Sequence, residues 1–151
     1  GIAIALPLAG PALAKTPVNV TGSIYAAIPC IIQGNNTINV PFGDVQTTRI
    51  DGTYKTVDIV YGLNCSNAST NALRMRIHGN EAGFDGALAV PSHPNLGIAF
   101  KRDDIAVGVN QWFDFNAQKP PVLQAVPVKK QGGTLQAGTF SAGATLVVDY
   151  R

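Results

Sequence analysis

The chain has 151 residues, enough for one domain with a real core and short for two. Hydrophobic residues make up 46% and charged residues 13%, and the net charge is only +2 with no basic cluster beyond Lys129-Lys130, which excludes a nucleic-acid groove. So low a charge fraction predicts a surface that meets partners, and 16 glycines with 10 prolines favour short strands and turns over long helices.

Residues 1–14 form an uncharged apolar run ending in Ala12-Leu13-Ala14 and followed by Lys15. A small-x-small tripeptide after such a run reads as the remnant of a secretory signal peptide, with cleavage expected after Ala14. A first apolar strand or a short buried helix is the alternative. Two internal prolines and a length below the ~20 residues of a span argue against a transmembrane helix.

From Thr16 the chain alternates. Thr16, Val18, Val20, Gly22 and Ile24 share one side of an expected strand, with a gap where Gly22 has no side chain. A second extended run passes through Ile28, Cys30 and Ile32 to a turn at Gly34-Asn35-Asn36, and Ile38, Val40 and Phe42 follow on one face. Thr53–Cys65 predicts one long strand with Val57, Ile59 and Tyr61 facing one way. Ala72–His78 sets Leu73, Met75 and Ile77 against Arg74, Arg76 and His78, the pattern of a half-buried strand. After a polar loop at Gly79–Gly86 comes a short apolar run, Ala87–Val90. Leu96–Phe100 and Ile105–Val109 then bracket the charged turn Lys101-Arg102-Asp103-Asp104. Trp112–Phe115 is readable either as strand or as loop. Val122–Val128 alternates, with Pro127 predicting an edge or a kink. Gly138–Arg151 closes the chain with Leu146, Val148 and Tyr150 alternating against Val147, Asp149 and Arg151, a strand with one buried face and an open edge that invites another chain. No segment has a helical period, and the spacing of turns predicts an all-β sandwich.

If the chain is exported, an oxidising compartment pairs Cys30 with Cys65, the alternative being two buried thiols. Without C-x-x-C that bond does no redox chemistry. His78 and His93 have no Cys, His or carboxylate at metal-ligand spacing and read as solvated surface. No serine lies in a nucleophile signature. No cofactor motif is read, and the chain is not expected to be an enzyme.

Taken in order, these residues resemble the fimbrial subunits of the bacterial chaperone–usher pathway, the minor pilins of P-type and type 1 pili in particular. T-P-V-N-V-T-G-S-I resembles the N-terminal extension of such subunits, and Ile28-Pro29-Cys30-Ile31-Ile32 their first strand. V-P-F-G-D-V at 40–45 resembles their F-G-[ND]-[VI] turn. Cys65, closing V-D-I-V-Y-G-L-N-C, falls at their second cysteine. Tyr150 resembles their penultimate tyrosine, and Gly138 the glycine fourteenth from the end.

The resemblance implies an incomplete immunoglobulin-like β-sandwich that lacks its last strand, over residues 28–151, preceded by a donor-strand extension at 15–27. It implies that a periplasmic chaperone fills the groove beside the terminal strand, that an outer-membrane usher assembles the fibre, and that a neighbouring pilin's extension later replaces the chaperone. Thr16, Val18, Val20, Gly22 and Ile24 are then the donor residues. Gly138, Phe140, Leu146, Val148 and Tyr150 are the groove, and Arg151 is the residue whose carboxylate the chaperone anchors. The neighbours would be other pilins or a tip adhesin on the surface of a Gram-negative cell. The reading is a structural subunit, with the extension and its spacing leaning toward a minor tip or adaptor pilin and a major rod subunit as the alternative. The rival class is a secreted carbohydrate-binding module stacking sugar on Trp112, Phe113 and Phe115.

Overall fold

The computed structural model of the chain describes residues 13–24, 28–33 and 41–151. Most of the expected signal remnant lies outside them. So do positions 25–27 of the N-terminal arm and 34–40, which hold the Gly34-Asn35-Asn36 turn together with Ile38 and Val40.

The strands are β1 (Ile31–Ile32), β2 (Val57–Ile59), β3 (Leu63–Asn64), β4 (Ala72–His78), β5 (Leu88–Ala89), β6 (Leu96–Arg102), β7 (Ile105–Val107), β8 (Phe113–Asn116), β9 (Leu123–Lys129) and β10 (Thr145–Tyr150). A 3-10 turn spans Thr47–Arg49, and no α-helix occurs among the described residues. One sheet has three strands in the order β10-β4-β8; the other has five, β2-β9-β6-β5 with β7 added on β6; β1 and β3 form a small ladder of their own. Every pairing is antiparallel.

The two larger sheets face each other because each strand's apolar set points inward. On β4 the alternation is carried through fully: Leu73, Met75 and Ile77 are buried, while Arg74 and Arg76 are half-exposed and His78 exposed. One core cluster joins Ile77 of β4 to Leu88, Leu96, Ile98, Phe100 and Ala125 of the larger sheet. A second joins Leu73, Met75, Phe113 and Phe115 to Val107, Leu123 and Cys30. Complete burial of a side chain such as Leu73 contributes about 1.5–3 kcal/mol. Phe113 and Phe115 therefore belong to the interior, which removes two of the three aromatics from the sugar-stacking reading.

Several sequence expectations shift in physically instructive ways. The expected strand at Thr53–Cys65 is two, because the chain leaves β9 after Ile59 and joins β1 at Leu63. Between them the Tyr61 hydroxyl donates to the Pro121 carbonyl. Strand β6 runs on through Lys101 and Arg102, since Asp103 and Asp104 alone make the turn, both at positive φ (47° and 66°), the geometry of a two-residue hairpin. The polar loop at Gly79–Gly86 folds back over the larger sheet, so that Val126 and Val128 are covered by Ala87, Ala82 and Phe84 on the face away from the main core.

Pro127 lies inside β9, opposite Ile98, and does not break the strand; on its other side it stands at a local edge. Lys130 N–H donates to Asn95 O and Asp103 N–H to Val122 O, which sets the hydrogen-bonded pairs of the β6–β9 ladder one residue out of step with Pro127. Its nitrogen therefore faces the β2 side, where pairing has already ended at Val57 opposite Ala125, and no donor is missed.

Cys30 and Cys65 form a disulfide at a sequence separation of 35. Among the described residues 28–33, the β1–β3 pairing covers only Ile31 and Ile32. The covalent bond therefore does much of the work of holding this segment.

Three outcomes follow from this packing. A Cβ at Gly97 would lie 2.8 Å from Ala87 Cβ and 3.2 Å from Phe84 Cζ, so Gly97→Val should cost about 1–3 kcal/mol in urea unfolding by overpacking. Reduction of the disulfide should cost about 3–4 kcal/mol on the loop-entropy model, read as a lower urea midpoint in reductant. Burial, and then the charge of Asp103, push the Tyr61 pKa up to about 12 from its ordinary 10. The fold favours the protonated phenol, so this stability is fully present below about pH 10 and is lost as pH rises towards about 12. Alkaline unfolding of Tyr61→Phe should be flatter across that window than wild type.

Candidate functional site

The site is built around β10. Its residues are β-branched or large and alternate, so they form a strand. It pairs with β4 over its whole length, Thr145 opposite His78 through Tyr150 opposite Leu73. Its other edge has no strand partner among the described residues. That edge presents unpaired N–H and C=O groups, a template for a further strand.

Beside it lies a cleft of 1380 Å³. The floor is the first core cluster itself: Ile77, Leu88, Leu96, Ile98, Phe100 and Ala125 all line it. One wall is the segment leading into β10, from Leu135 through Gly138 and Phe140 to Leu146; the other is Ile32, the stretch Pro41–Thr48, Ile50 and Ile59. Phe42 and Phe140, one from each wall, approach to 6.0 Å between ring centroids. The cleft is thus a core whose two sides meet by aromatic contact in place of a strand.

The wall before β10 is held from the β5–β6 connection. Asn95 Nδ2 donates to Thr134 O at 3.1 Å, and His93 Nε2 lies 3.1 Å from Gln136 O. Ser92 Oγ is 2.7 Å from His93 Nδ1, and the imidazole meets Phe140 edge-on at 6.4 Å. His93 is therefore half-buried in the site's framework, unlike the solvated loop residue its proline neighbours suggested. Gly138 has φ +143°, in the region that side-chain-bearing residues rarely adopt, and faces the His93 ring.

The residues singled out in the sequence separate into groups. Gly138, Phe140 and Leu146 line the cleft. Val148 and Tyr150 are half-buried against the second core cluster, and Tyr150 Oη accepts the Ser69 N–H at 3.1 Å. Arg151 is exposed and its Nη1 lies 3.6 Å from Asp114. In the arm, residues 13–24 are exposed throughout and form no strand, although their alternation reads as one. Val18 is 82%, Val20 91% and Ile24 103% exposed, so these apolar side chains contribute nothing to the fold that carries them. Gly22 meets nothing within 4 Å. The opposite wall, above all Phe42, Ile50 and Ile59, was not recognised as site from the sequence. Phe42 lies inside the F-G-D-V turn, but nothing local says that it faces Phe140. Among the described residues no group of three or more His, Cys, Asp or Glu side chains is placed to hold a metal ion.

This geometry has relatives. The family described as fimbrial protein matches residues 18–151. The fimbrial-like protein YfcR of Escherichia coli strain K12 is 40% identical over 133 residues, covering 85% of this chain and 76% of that protein. YfcQ of the same strain, also fimbrial-like, is 31% identical over 136 residues, covering 86% of this chain and 84% of its own. Among solved structures, the P pilus rod subunit PapA superposes with a TM-score of 0.64 at 20% identity, over 82% of this chain and 92% of its own. The P pilus adaptor subunit PapF gives a TM-score of 0.60 at 22% identity, over 82% and 96%. Those two likenesses concern the fold, which is the immunoglobulin-like sandwich of pilus subunits. The family match and the two fimbrial-like relatives concern descent, and on them the chain belongs to the fimbrial protein family.

Proposed function

We propose that this chain is a structural subunit of a chaperone–usher fimbrium that polymerises by strand exchange. A strand from a neighbour lies in the cleft along the unpaired edge of β10, and residues 15–27 of this chain are laid into the cleft of the next subunit. The observation that carries the reading is the coexistence, in one chain, of an apolar cleft floored by core residues and an exposed alternating apolar arm. Each lacks what the other has.

The energetics favour the exchange. Burial of Val18, Val20 and Ile24 contributes about 1.5–3 kcal/mol each, and the backbone of β10 gains a row of hydrogen bonds. Part of that gain offsets the ordering of the arm. Gly22 allows close approach of the arm's backbone to the cleft. Before assembly a periplasmic chaperone occupies the cleft, with the carboxylate of Arg151 as its anchor, and the outer-membrane usher hands the subunit to its neighbours, another pilin or the tip adhesin. The place of action is the cell-surface fimbrium of a Gram-negative bacterium, and the role is structural. The exposed alternating arm is that of a subunit that donates a strand, and the role proposed for it is that of a minor tip or adaptor pilin.

The test uses the full chain carrying Val18→Asp and Val20→Asp, which cannot donate but keeps its cleft. A synthetic peptide of residues 15–27 should raise its melting temperature in a saturable way, and the same peptide with both aspartates should not. Adding Leu146→Asp to the receiving chain should remove the response. Equal shifts from the two peptides, or none from the wild-type sequence, would sink the exchange reading.

A further inference from the structure

The outer face of the β10-β4-β8 sheet carries a second arrangement that the cleft does not use. Arg74 and Arg76 point outward from β4 at successive outward positions. Arg74 is flanked by acid on both neighbouring strands, with Asp149 of β10 and Asp114 of β8 directly opposite. Its Nη2 lies 3.5 Å from Asp149 Oδ2, and Asp114 in turn takes Arg151. Arg76, one outward position along, has Val147 opposite it on β10. Among the described residues no carboxylate lies within ion-pair distance of it.

Both guanidinium groups stack on one indole. Trp112 has Arg74 Cζ at 4.0 Å from its ring centroid and Arg76 Cζ at 4.7 Å. The Nε atoms of both arginines are shielded and have no hydrogen-bond partner. Stacking fixes a guanidinium in orientation and occupies its face, leaving its in-plane N–H groups to donate as a fork. At Arg76 that fork has no anion to receive it, and it stands beside the half-buried Trp112 and Val147.

We propose that this face binds an acidic sugar, its carboxylate or sulfate group on the Arg76 fork and its ring against Trp112 and Val147. An oxyanion matches a fixed guanidinium fork in charge and geometry. The apolar C–H face of a pyranose matches the aromatic and aliphatic surface beside it. A single unneutralised cation suits a ligand with one acid group; an acidic peptide or a nucleic acid would call for a row of them, and Arg74 and Arg151 are already paired. The site lies outside the cleft and does not depend on strand exchange.

Trp112 is the chain's one tryptophan, so its emission reports on this face alone. The full chain is titrated at low ionic strength with sialyllactose, a lactose carrying one sulfate ester and no carboxylate, lactose and inorganic sulfate. One of the acidic sugars should change the emission saturably where lactose and sulfate at equal concentration do not, and the one that responds identifies the acid group. Arg76→Gln should weaken that binding about tenfold or more, and added salt should weaken it in wild type. Lys129→Gln with Lys130→Gln should leave it unchanged. Arg76→Lys, which keeps the charge and loses the fork, should fall between wild type and Arg76→Gln, and it replaces Arg76→Gln as the deciding variant if the latter shows no cooperative melt. The proposal is overturned by no saturable response to either acidic sugar, by an equal response to lactose or to inorganic sulfate, or by unchanged affinity in the deciding variant.

Discussion

Antiparallel pairing satisfies a strand's backbone on the side where a partner lies and leaves the other side to solvent or to a guest. In this chain that constraint falls on β10, which is bonded along its full length to β4 and has no strand beside its other edge among the described residues. Everything at the site follows from it. Because no strand closes the sandwich there, the side chains of β4, β6 and β9 that would meet one line a cleft instead. What bridges the gap is a contact between Phe42 and Phe140 and a set of polar tethers from His93 and Asn95. The core is therefore built to interior standards on one side and left accessible on the other.

Much of the architecture is legible in the residues, and the parts that are not share a cause. Strand β4 coincides with the alternation at Ala72–His78, since Leu73, Met75 and Ile77 have only one face on which they can be buried. Strand β10 reads equally well. Strand β9 misleads, because the loop carrying Phe84 covers its second face and turns an alternating strand into one buried on both. Pro127 signals the local edge it occupies, but what makes that edge is where β2 stops, which no local pattern records. The arm at 13–24 has the pattern of a strand without the ladder, and its exposed valines explain the mismatch: pattern reports what a segment could bury, and pairing depends on what is there to bury it. Of the cleft, the near wall is written in the C-terminal sequence. The far wall is not, because Phe42, Ile50 and Ile59 come together only through the fold.

The two faces of the three-stranded sheet are stabilised by different means. On the inner side Leu73 and Met75 are fully enclosed. On the outer side the ion pairs Arg74–Asp149 and Arg151–Asp114 cross both ladders of the sheet, exposed and individually worth little. Their effect is to tie β10 to β4 and β8 at one end, and to leave Arg76 alone at the other. A face that neutralises some of its arginines and not the rest has a local polarity that a net charge of +2 conceals.

The grip on β10 is lopsided. Its far end is anchored several times over, by Tyr150 against the second cluster and under the Ser69 amide, by the Arg151 N–H donating to Ala72 O, and by the ion pairs. The approach to its near end, Ser141–Ala144, is exposed together with Thr145, and a Cβ at Gly143 would meet nothing within 4 Å. Between the tethers that hold Thr134–Phe140 and the ladder that begins at Thr145, the stretch Ser141–Ala144 is thus the loosest part of this wall. A wall moored at both ends and slack between them yields first in its middle, as a rope bridge does between its posts.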